Sequence, residues 1–334
     1  MNQLSTRGST LAGRYLQAIG VANGDPIAAL GYVEQQQHRW TDYSQVKAAV
    51  DALSLGQTGT HLTASVGDSF LELVRPRALL WKLPHLRVVP FATDAILQTA
   101  GASSYWVGEG GLKPMSAPAF QRLGKLARRK VVGLAVVSNE LLRSSRADAI
   151  VADDLAAACA AGIDAALFDG LAGDDDRPAS VTHGALTVPA TAAPLADALA
   201  ALALFKGNLT TSAWFAHPQT AARIGAKNPG AGQACDVGAT GGRLLGIEVF
   251  TSEAVPKTAV SLVDLSRIEV AGGRDAELRT SANATLLMTD PDTGTAKPTS
   301  MFQTNCIGLL GEIIVNWRVG GPAGSAVSIT GASY

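Results

Sequence analysis

Apolar positions near the start of the chain recur at helical spacing. Leu11, Tyr15 and Ile19 follow one another at intervals of four residues, which places their side chains on one face of a helix. Ser9 or Thr10 stands where an N-cap is expected, so the pattern predicts a helix that begins there.

Two further helices are predicted within the first sixty residues. Asp25 and Pro26 supply an N-cap and an N1 proline for one of them. The apolar positions of residues 43–53 lie on one face of the other, which Gly56 closes. Residues 1–60 therefore form a helical segment, which is either a cap on the main body or an arm that docks on a neighbouring subunit.

Prolines dominate the next region, residues 61–94. Pro76, Pro84 and Pro90 interrupt a series of leucines and valines. Prolines at this density prevent a continuous helix and are typical of extended edge segments. We therefore expect an extended arm that lies across a surface.

Residues 95–130 predict a long β-hairpin with glycines at its tip. Each arm of about 12 residues would extend about 40 Å, at about 3.4 Å per residue. A two-stranded ribbon of this kind is only marginally stable alone. We therefore expect a partner surface to support it.

Basic side chains are concentrated on the return arm of this hairpin. They serve either as solvated edge charge that blocks aggregation or as contacts with a neighbouring acidic face. Nucleic-acid contact is disfavoured because no aromatic residues are interleaved with them. The residues are Arg122, Lys125, Arg128, Arg129 and Lys130.

A buried strand and a long helix are expected after the hairpin. The strand covers Val131–Val137, and the helix covers Asp148–Phe168, about 30 Å at about 1.5 Å per residue. Gly170 ends the helix. Its predicted buried stripe consists of Val151, Leu155, Cys159, Gly162, Ile163 and Ala166.

The second half of the chain alternates between helical and strand patterns. Residues 187–285 predict a separate α/β lobe, which includes one strand over residues 242–250. Residues 286–334 return to strands that rejoin residues 131–186. The fold class is therefore α+β, with one lobe built from two distant parts of the chain.

Composition indicates self-association. Charged residues make up 16% of the chain, against about 25% in ordinary soluble domains. The net charge is −1, which argues against a general polyanion binder and permits close approach of like subunits. The three cysteines, far apart, are typical of free thiols in a reducing compartment. No apolar run reaches the length of a membrane span, and no secretory signal is visible.

No motif for catalysis, a metal or a cofactor stands out. The five histidines lack zinc-ligand spacing, and Asp174–Asp176 lack the alternating positions of a calcium loop. Phosphate-loop and nucleophile-elbow motifs are absent from the sequence. We therefore predict no enzyme activity and no cofactor, although an α/β enzyme with an unrecognised site stays open as an alternative.

Several segments occur in order along residues 61–320. They are Tyr105–Glu109 with Lys113-Pro114, the basic return arm, Val137–Leu142, the helix that ends on Phe168-Asp169-Gly170, and Leu244–Gly246 before Val249. Together they resemble the major capsid proteins of tailed phages with the Hong Kong ninety-seven fold.

This resemblance implies names for the regions. Residues 61–94 would be the N-terminal arm, residues 95–130 the extended loop, and residues 187–285 the axial domain. Residues 131–186 and 286–334 would form the peripheral domain, with Asp148–Phe168 as its spine helix. Residues 1–60 are expected to remain attached after maturation.

The resemblance also implies a function. Copies of the chain would assemble into pentamers and hexamers of an icosahedral shell around double-stranded DNA, without sequence-specific contact. Portal and scaffolding proteins would be partners, and assembly would take place in the bacterial host cytoplasm. A nanocompartment shell that encloses a protein cargo is the alternative.

Two sets of site residues follow from the resemblance. The subunit contacts would include Trp106, Glu109, Lys113, Arg122, Arg128 and Arg129. Some family members also join subunits covalently, and here Lys113 would attack the amide of Asn305 with Glu312 as the base. The second set is a hypothesis about autocatalytic crosslinking and not about a conventional enzyme site.

Overall fold

The computed structural model describes residues 3–54, 61–100, 104–109, 115, 117, 119–144, 147–228, 232–289, 295–321 and 324–334. The chain divides into two compact units. The first contains residues 1–82, 130–163 and 273–314, and the second contains residues 83–129, 164–272 and 315–334.

The described chain begins with helices, has strands and helices interspersed in its middle part, and ends in a series of strands. The helices are α1 Gln3–Val21, α2 Pro26–Gln35, α3 Tyr43–Ser54, α4 His61–Val74, α5 Asn139–Leu142, α6 Ala147–Phe168, α7 Pro194–Leu204 and α8 Pro218–Lys227. The strands are β1 Arg87–Val88, β2 Asp94–Ala100, β3 Ala119–Lys125, β4 Lys130–Ser138, β5 Leu186–Pro189, β6 Ser212–Ala216, β7 Cys235–Gly238, β8 Gly241–Leu244, β9 Ile247–Thr251, β10 Ala259–Asp264, β11 Ile268–Ser281, β12 Thr285–Thr289, β13 Ala296–Ser300, β14 Cys306–Val319 and β15 Ala326–Thr330.

Local sequence signals predicted the cap of α2 correctly and the start of α1 incorrectly. The Asp25 side chain accepts a hydrogen bond from the backbone N–H of Ile27, which confirms the predicted cap of α2. The predicted start of α1 at Ser9 or Thr10 was wrong, because the helix already begins at Gln3. Serine and threonine are only mildly unfavourable inside a helix, so a hydroxyl does not by itself mark a helix start.

Residues 61–74 were wrongly predicted as extended. They form α4, and its buried side chains Val66, Phe70, Leu71 and Val74 recur at helical spacing. The first proline of the region, Pro76, comes after the helix has ended. The prolines therefore lie beyond the C-terminal end of the helix and do not interrupt it.

The N-terminal helices belong to the core of the first unit. The Gln17 amide donates hydrogen bonds to the carbonyl oxygens of Leu142 and Ser144, at 2.7 and 3.2 Å. A Cβ added at Gly311 would lie 3.0 Å from the ring of Phe70. The contacts of Gln17 favour a cap on the main body over an arm that docks on a neighbouring subunit for α1. That the segment stays attached after maturation remains a prediction.

β4 is half-buried, whereas the sequence predicted a buried strand. It pairs antiparallel with β14 and lies at one edge of the order β1-β11-β14-β4. Gly133 faces α6, since a Cβ there would lie 2.8 Å from the Cys159 sulfur. Val132 and Leu134, on the other face, are 50% and 51% exposed. A hydrophobic run alone does not reveal that only one face is covered.

The spine helix α6 is confirmed in extent and in most of its stripe. Val151, Leu155, Cys159 and Ile163 are buried. Gly162 is exposed and Ala166 is half-buried, so these two members of the predicted stripe were wrong. They lie away from the centre of the stripe because the α-helix advances 3.6 residues per turn.

A seven-stranded sheet forms the centre of the second unit, in the order β5-β15-β10-β6-β9-β8-β7. β15 pairs antiparallel with β10 and parallel with β5, and the Ser261 and Ser328 hydroxyls are 2.8 Å apart. The sequence predicts that these C-terminal residues belong to the peripheral domain. Pairing between strands so distant in sequence has no local signal.

The predicted single strand over residues 242–250 is in fact a hairpin. β8 and β9 pair antiparallel around Leu245 and Gly246, whose φ values are 52° and 81°. Two successive positive φ values are typical of a type I′ turn, which suits a two-residue hairpin loop.

Two separate ribbons complete the described elements. β2 pairs antiparallel with β3, which confirms the predicted hairpin over its described strands of 7 residues each. β12 pairs antiparallel with β13. In the described part of the chain, no helix combines the length and the apolar character needed to cross a bilayer.

Asp264 anchors a buried polar turn in the second unit. Its fully buried carboxylate accepts hydrogen bonds from the backbone N–H of Asn208 at 2.9 Å, the Thr211 hydroxyl at 2.8 Å and the Ser266 hydroxyl at 2.7 Å. Burial alone would raise the pKa of Asp264, but these donated hydrogen bonds outweigh it and lower the pKa below its usual 3.8.

We expect Asp264→Asn to lower the free energy of unfolding by about 2 kcal/mol at pH 7, because buried donors lose a charged acceptor. Since the folded state depresses the pKa, the stabilisation is present above about pH 4 and is lost as the pH falls through the folded pKa. Urea unfolding at pH 7 and at pH 3 measures both effects. An equal loss of stability from Asp175→Asn, at an exposed position, would contradict the assignment.

Candidate assembly surfaces

The described part of the hairpin tip is open to solvent. Residues 104–109 are all exposed, and Trp106 is completely so. Tyr105 and Val107 add further exposed apolar surface, with the Glu109 carboxylate beside it. Contiguous exposed aromatic and aliphatic side chains indicate an interaction surface. Lys113 lies outside the described residues.

One face of the β2–β3 ribbon is both apolar and basic. Ile96 lies opposite Arg122, and Gln98 lies opposite Phe120. Directly opposite residues and alternate residues of a strand share a face, so the side chains of Ile96, Phe120 and Arg122 project from the same side. Ile96 is 57% exposed and Phe120 is 62% exposed.

The other predicted contact residues follow this ribbon. The Arg128 guanidinium lies over the ring of Phe91, 5.4 Å from its centre, in a cation–π arrangement. Arg129 is half-buried, and its Nε and Nη1 atoms are enclosed without a hydrogen-bond partner in the described part of the chain. Of the basic cluster, Arg122 and Lys125 are thus the members that the ribbon itself presents to solvent.

The base of the ribbon is anchored by charges that sequence reasoning missed. Glu269 is 3% exposed, and its carboxylate meets Arg318 at 2.7 Å and Arg87 at 3.1 Å. Arg318 also donates from Nη1 to the carbonyl oxygens of Leu123 and Gly124, each at 2.9 Å. One guanidinium therefore joins β11, β14 and the end of β3.

Two of the candidate crosslink residues, Asn305 and Glu312, lie apart within one chain, and the third, Lys113, lies outside the described residues. Asn305 precedes β14, has a φ of 54°, and its Oδ1 accepts from Nδ2 of Asn139 at 2.6 Å. Glu312 lies further along β14 and pairs with the Lys130 amine at 2.7 Å. Seven residues of extended strand span about 24 Å, at about 3.4 Å per residue. A Glu312 that acts on Asn305 must therefore come from a different copy.

The described residues do not form a metal site. Among them, no group of three or more His, Cys, Asp or Glu side chains is arranged to hold an ion. His217, which is buried, accepts from the backbone N–H of Gln219 and meets Glu253 at 2.8 Å, so it serves as the N-cap of α8.

Comparison with known proteins defines the class. A sequence profile described as the phage capsid family matches residues 92–319. The chain therefore belongs to the phage capsid family, a family of structural proteins.

A curated relative extends this match. The chain is 34% identical over 281 residues to the capsid polyprotein of Pseudomonas phage PAJU2. The match covers 76% of this chain and 42% of the polyprotein, so the chain spans less than half of that relative's length.

Solved structures match the fold. A solved structure from Gordonia phage Cozz has a TM-score of 0.52 at 17% identity, with 73% of this chain and 84% of that chain covered. The capsid of an empty GTA particle computed with C5 symmetry has a TM-score of 0.52 at 17% identity, with 77% and 90% covered. The predicted α+β fold of the Hong Kong ninety-seven type is confirmed.

We expect Arg318→Lys to lower the free energy of unfolding by about 2 kcal/mol, because a single ammonium nitrogen cannot reach both Glu269 and the two carbonyl oxygens that different guanidinium nitrogens contact. Amide hydrogen exchange within Asp94–Lys125 should also become faster. Chemical unfolding and exchange mass spectrometry measure the two effects.

Arg279→Lys is the matched control, since Arg279 forms an exposed ion pair with Glu277. It should change stability by about 0.5 kcal/mol or less. Unchanged exchange in the ribbon of Arg318→Lys would contradict the anchoring role.

Proposed function

We propose that this chain is the major capsid subunit of a tailed phage or prophage. Copies assemble into pentamers and hexamers of an icosahedral shell that encloses double-stranded DNA. The observation that carries the proposal is the phage capsid match over residues 92–319. The exposed ribbon and tip, which the chain leaves uncovered, support it. The matched relatives are phage and GTA capsids, so a nanocompartment shell is not favoured.

The proposed mechanism is distributed over many contacts. The tip residues Trp106 and Glu109 and the basic residues Arg122, Arg128 and Arg129 contact neighbouring copies. Each contact is modest, but a closed shell engages several at once, and their effects multiply through high local concentration. The net charge of −1 keeps repulsion between copies low.

Portal and scaffolding proteins complete the proposed set of partners. The packaged DNA is held without sequence-specific contact, which agrees with the near-neutral charge and with the absence of interleaved aromatics in the basic arm. Assembly takes place in the cytoplasm of the bacterial host, and the finished subunit lies in the virion capsid.

Glu109→Lys should reduce shell formation while leaving the thermal midpoint of the subunit unchanged. Glu109 is exposed, so reversal of its charge affects contacts between copies and not folding. Electron microscopy and size-exclusion chromatography of the expressed protein give the yield of shells.

Asp175→Lys is the control, because it places the same charge change on an exposed loop outside the hairpin. Normal shells from Glu109→Lys would count against the tip as a contact. If the parent protein forms only small oligomers, the proposed function is wrong.

We further propose a covalent crosslink between copies. The Lys113 amine attacks Cγ of Asn305 on a neighbour, an isopeptide bond forms, and ammonia leaves. A Glu312 from a different copy accepts the amine proton. The reaction requires a desolvated amine of lowered pKa, which a closed shell interface can supply.

Denaturing electrophoresis of assembled shells tests this reaction. Wild-type shells should give bands at multiples of the monomer mass, and Lys113→Arg shells should give the monomer alone, because arginine keeps the charge without a nucleophilic amine. Monomer bands alone from wild-type shells would rule the crosslink out.

A further inference from the structure

Two asparagines from distant parts of the first unit meet at the amide that the proposed crosslink consumes. Asn305 lies in the turn before β14, and Asn139 is the first residue of α5. The Asn139 side chain donates a hydrogen bond from Nδ2 to Oδ1 of Asn305 at 2.6 Å. The two residues are 166 positions apart in the sequence, so the tertiary fold brings these amides together.

The backbone holds this pair of asparagines in place. The N–H of Asn139 donates to the carbonyl oxygen of Asn305 at 3.1 Å, so the main chain and the side chain of Asn139 contact the same residue. The neighbouring pair, Ser138 opposite Cys306, is the end of the β4–β14 ladder. Asn305 has a φ of 54°, a left-handed conformation that asparagine adopts more readily than most residues. Asn305 is therefore fixed at the end of a strand ladder, with its amide oxygen on a defined donor.

The acceptor amide is open to an incoming group in the single chain. Asn305 is exposed, whereas the donor residue Asn139 is half-buried. An exposed amide whose oxygen is already hydrogen-bonded can be reached at its carbon Cγ by an amine from another copy. The pair thus combines an accessible electrophile with a donor that is in place before the amine arrives.

The chemistry of amide attack requires such a donor. When an amine attacks an amide carbon, negative charge develops on the amide oxygen. Donors that are preorganised towards this oxygen stabilise the charge and lower the barrier. A hydrogen bond becomes stronger when its acceptor is charged, so the Asn139 N–H stabilises the transition state more than the resting amide. Stronger binding of the transition state than of the ground state is what accelerates a reaction.

We propose that Asn139 is a catalytic residue of the crosslink, because its Nδ2–H stabilises the oxyanion that forms on Oδ1 of Asn305. The Lys113 amine bonds to Cγ of Asn305, and a Glu312 from a different copy accepts a proton from this amine. The carbonyl then re-forms, the bond from Cγ to the original amide nitrogen breaks, and this nitrogen takes the proton from Glu312 and leaves as ammonia. Asn139 neither gains nor loses a proton. This inference rests on the proposed function and its crosslink.

Asn139→Asp tests this role with little change of shape. An ionised aspartate has no N–H to donate, and it places a negative charge beside the oxyanion. Aspartate is well tolerated in the first turn of a helix, so α5 should still form. We expect shells in wild-type yield and a rate constant of crosslinking that is lower by about 100-fold or more. Denaturing electrophoresis of shells sampled over time gives the rate, and electron microscopy gives the yield.

Two further variants complete the experiment. Asn139→Ala removes the donor without adding a charge, and its crosslinking should slow by about 100-fold as well. Asn208→Asp is the matched control in the second unit, since Asn208 is exposed and its side-chain oxygen accepts from the N–H of Thr210, as aspartate also can. It should crosslink at the wild-type rate.

The outcomes separate this inference from the proposed function. A wild-type crosslinking rate in shells of either Asn139 variant would overturn the catalytic role, while the crosslink and the shell stand. Loss of shells in both variants would give Asn139 a structural role instead. Wild-type shells that contain only monomers would overturn the crosslink and this inference together, and a wild-type chain that forms no shells would overturn the proposed function itself.

Discussion

A buried carboxylate anchors the base of the β2–β3 ribbon in this subunit. Glu269 is removed from water, and an isolated charge in that position would be strongly destabilising. Arg318 satisfies the carboxylate and uses its remaining donors on the backbone of Leu123 and Gly124. The end of β3 is therefore fixed to a buried ion pair. A two-stranded ribbon that is marginal by itself gains a firm base, and its exposed face can be presented in a defined orientation.

The surfaces that the single chain leaves uncovered share one property, which is exposed apolar area. Trp106 and Phe120 project apolar surface into water, where it contributes little to the stability of one subunit. The low proportion of charged residues in the whole chain agrees with this distribution. Exposed apolar area that folding does not bury is available for association, and association of many copies is the function that the phage capsid family implies.

Features encoded locally could be predicted from the sequence. The Asp25-Pro26 cap and the periodic stripe of α6 are short-range signals, and both agree with the structure. The helical spacing of Val66 and Phe70 is a local signal for α4, but the prolines that follow this helix favour an extended segment. A clearer rule is that a proline limits a helix only at its own position and just before it.

Features that depend on distant partners could not be predicted in the same way. β15 joins strands whose residues lie far away along the chain, and Arg318 meets Glu269 across a separation of 49 residues. Neither pairing can be recognised from the residues that are adjacent to it in the sequence. The candidate contacts at Trp106 and Glu109 follow from the resemblance of this segment to the phage capsid proteins, and they stay a prediction. The apolar face with Ile96 and Phe120 required the strand register.

The position of Phe70 beside Gly311 has a consequence for biosynthesis. These residues are about 240 positions apart in the sequence, yet they belong to the same unit. A ribosome must therefore translate as far as Gly311 before that core can close, and contacts between such distant residues form slowly. During translation the early helices remain without their final partner, so the nascent subunit depends on its last strands before it becomes competent to join other copies.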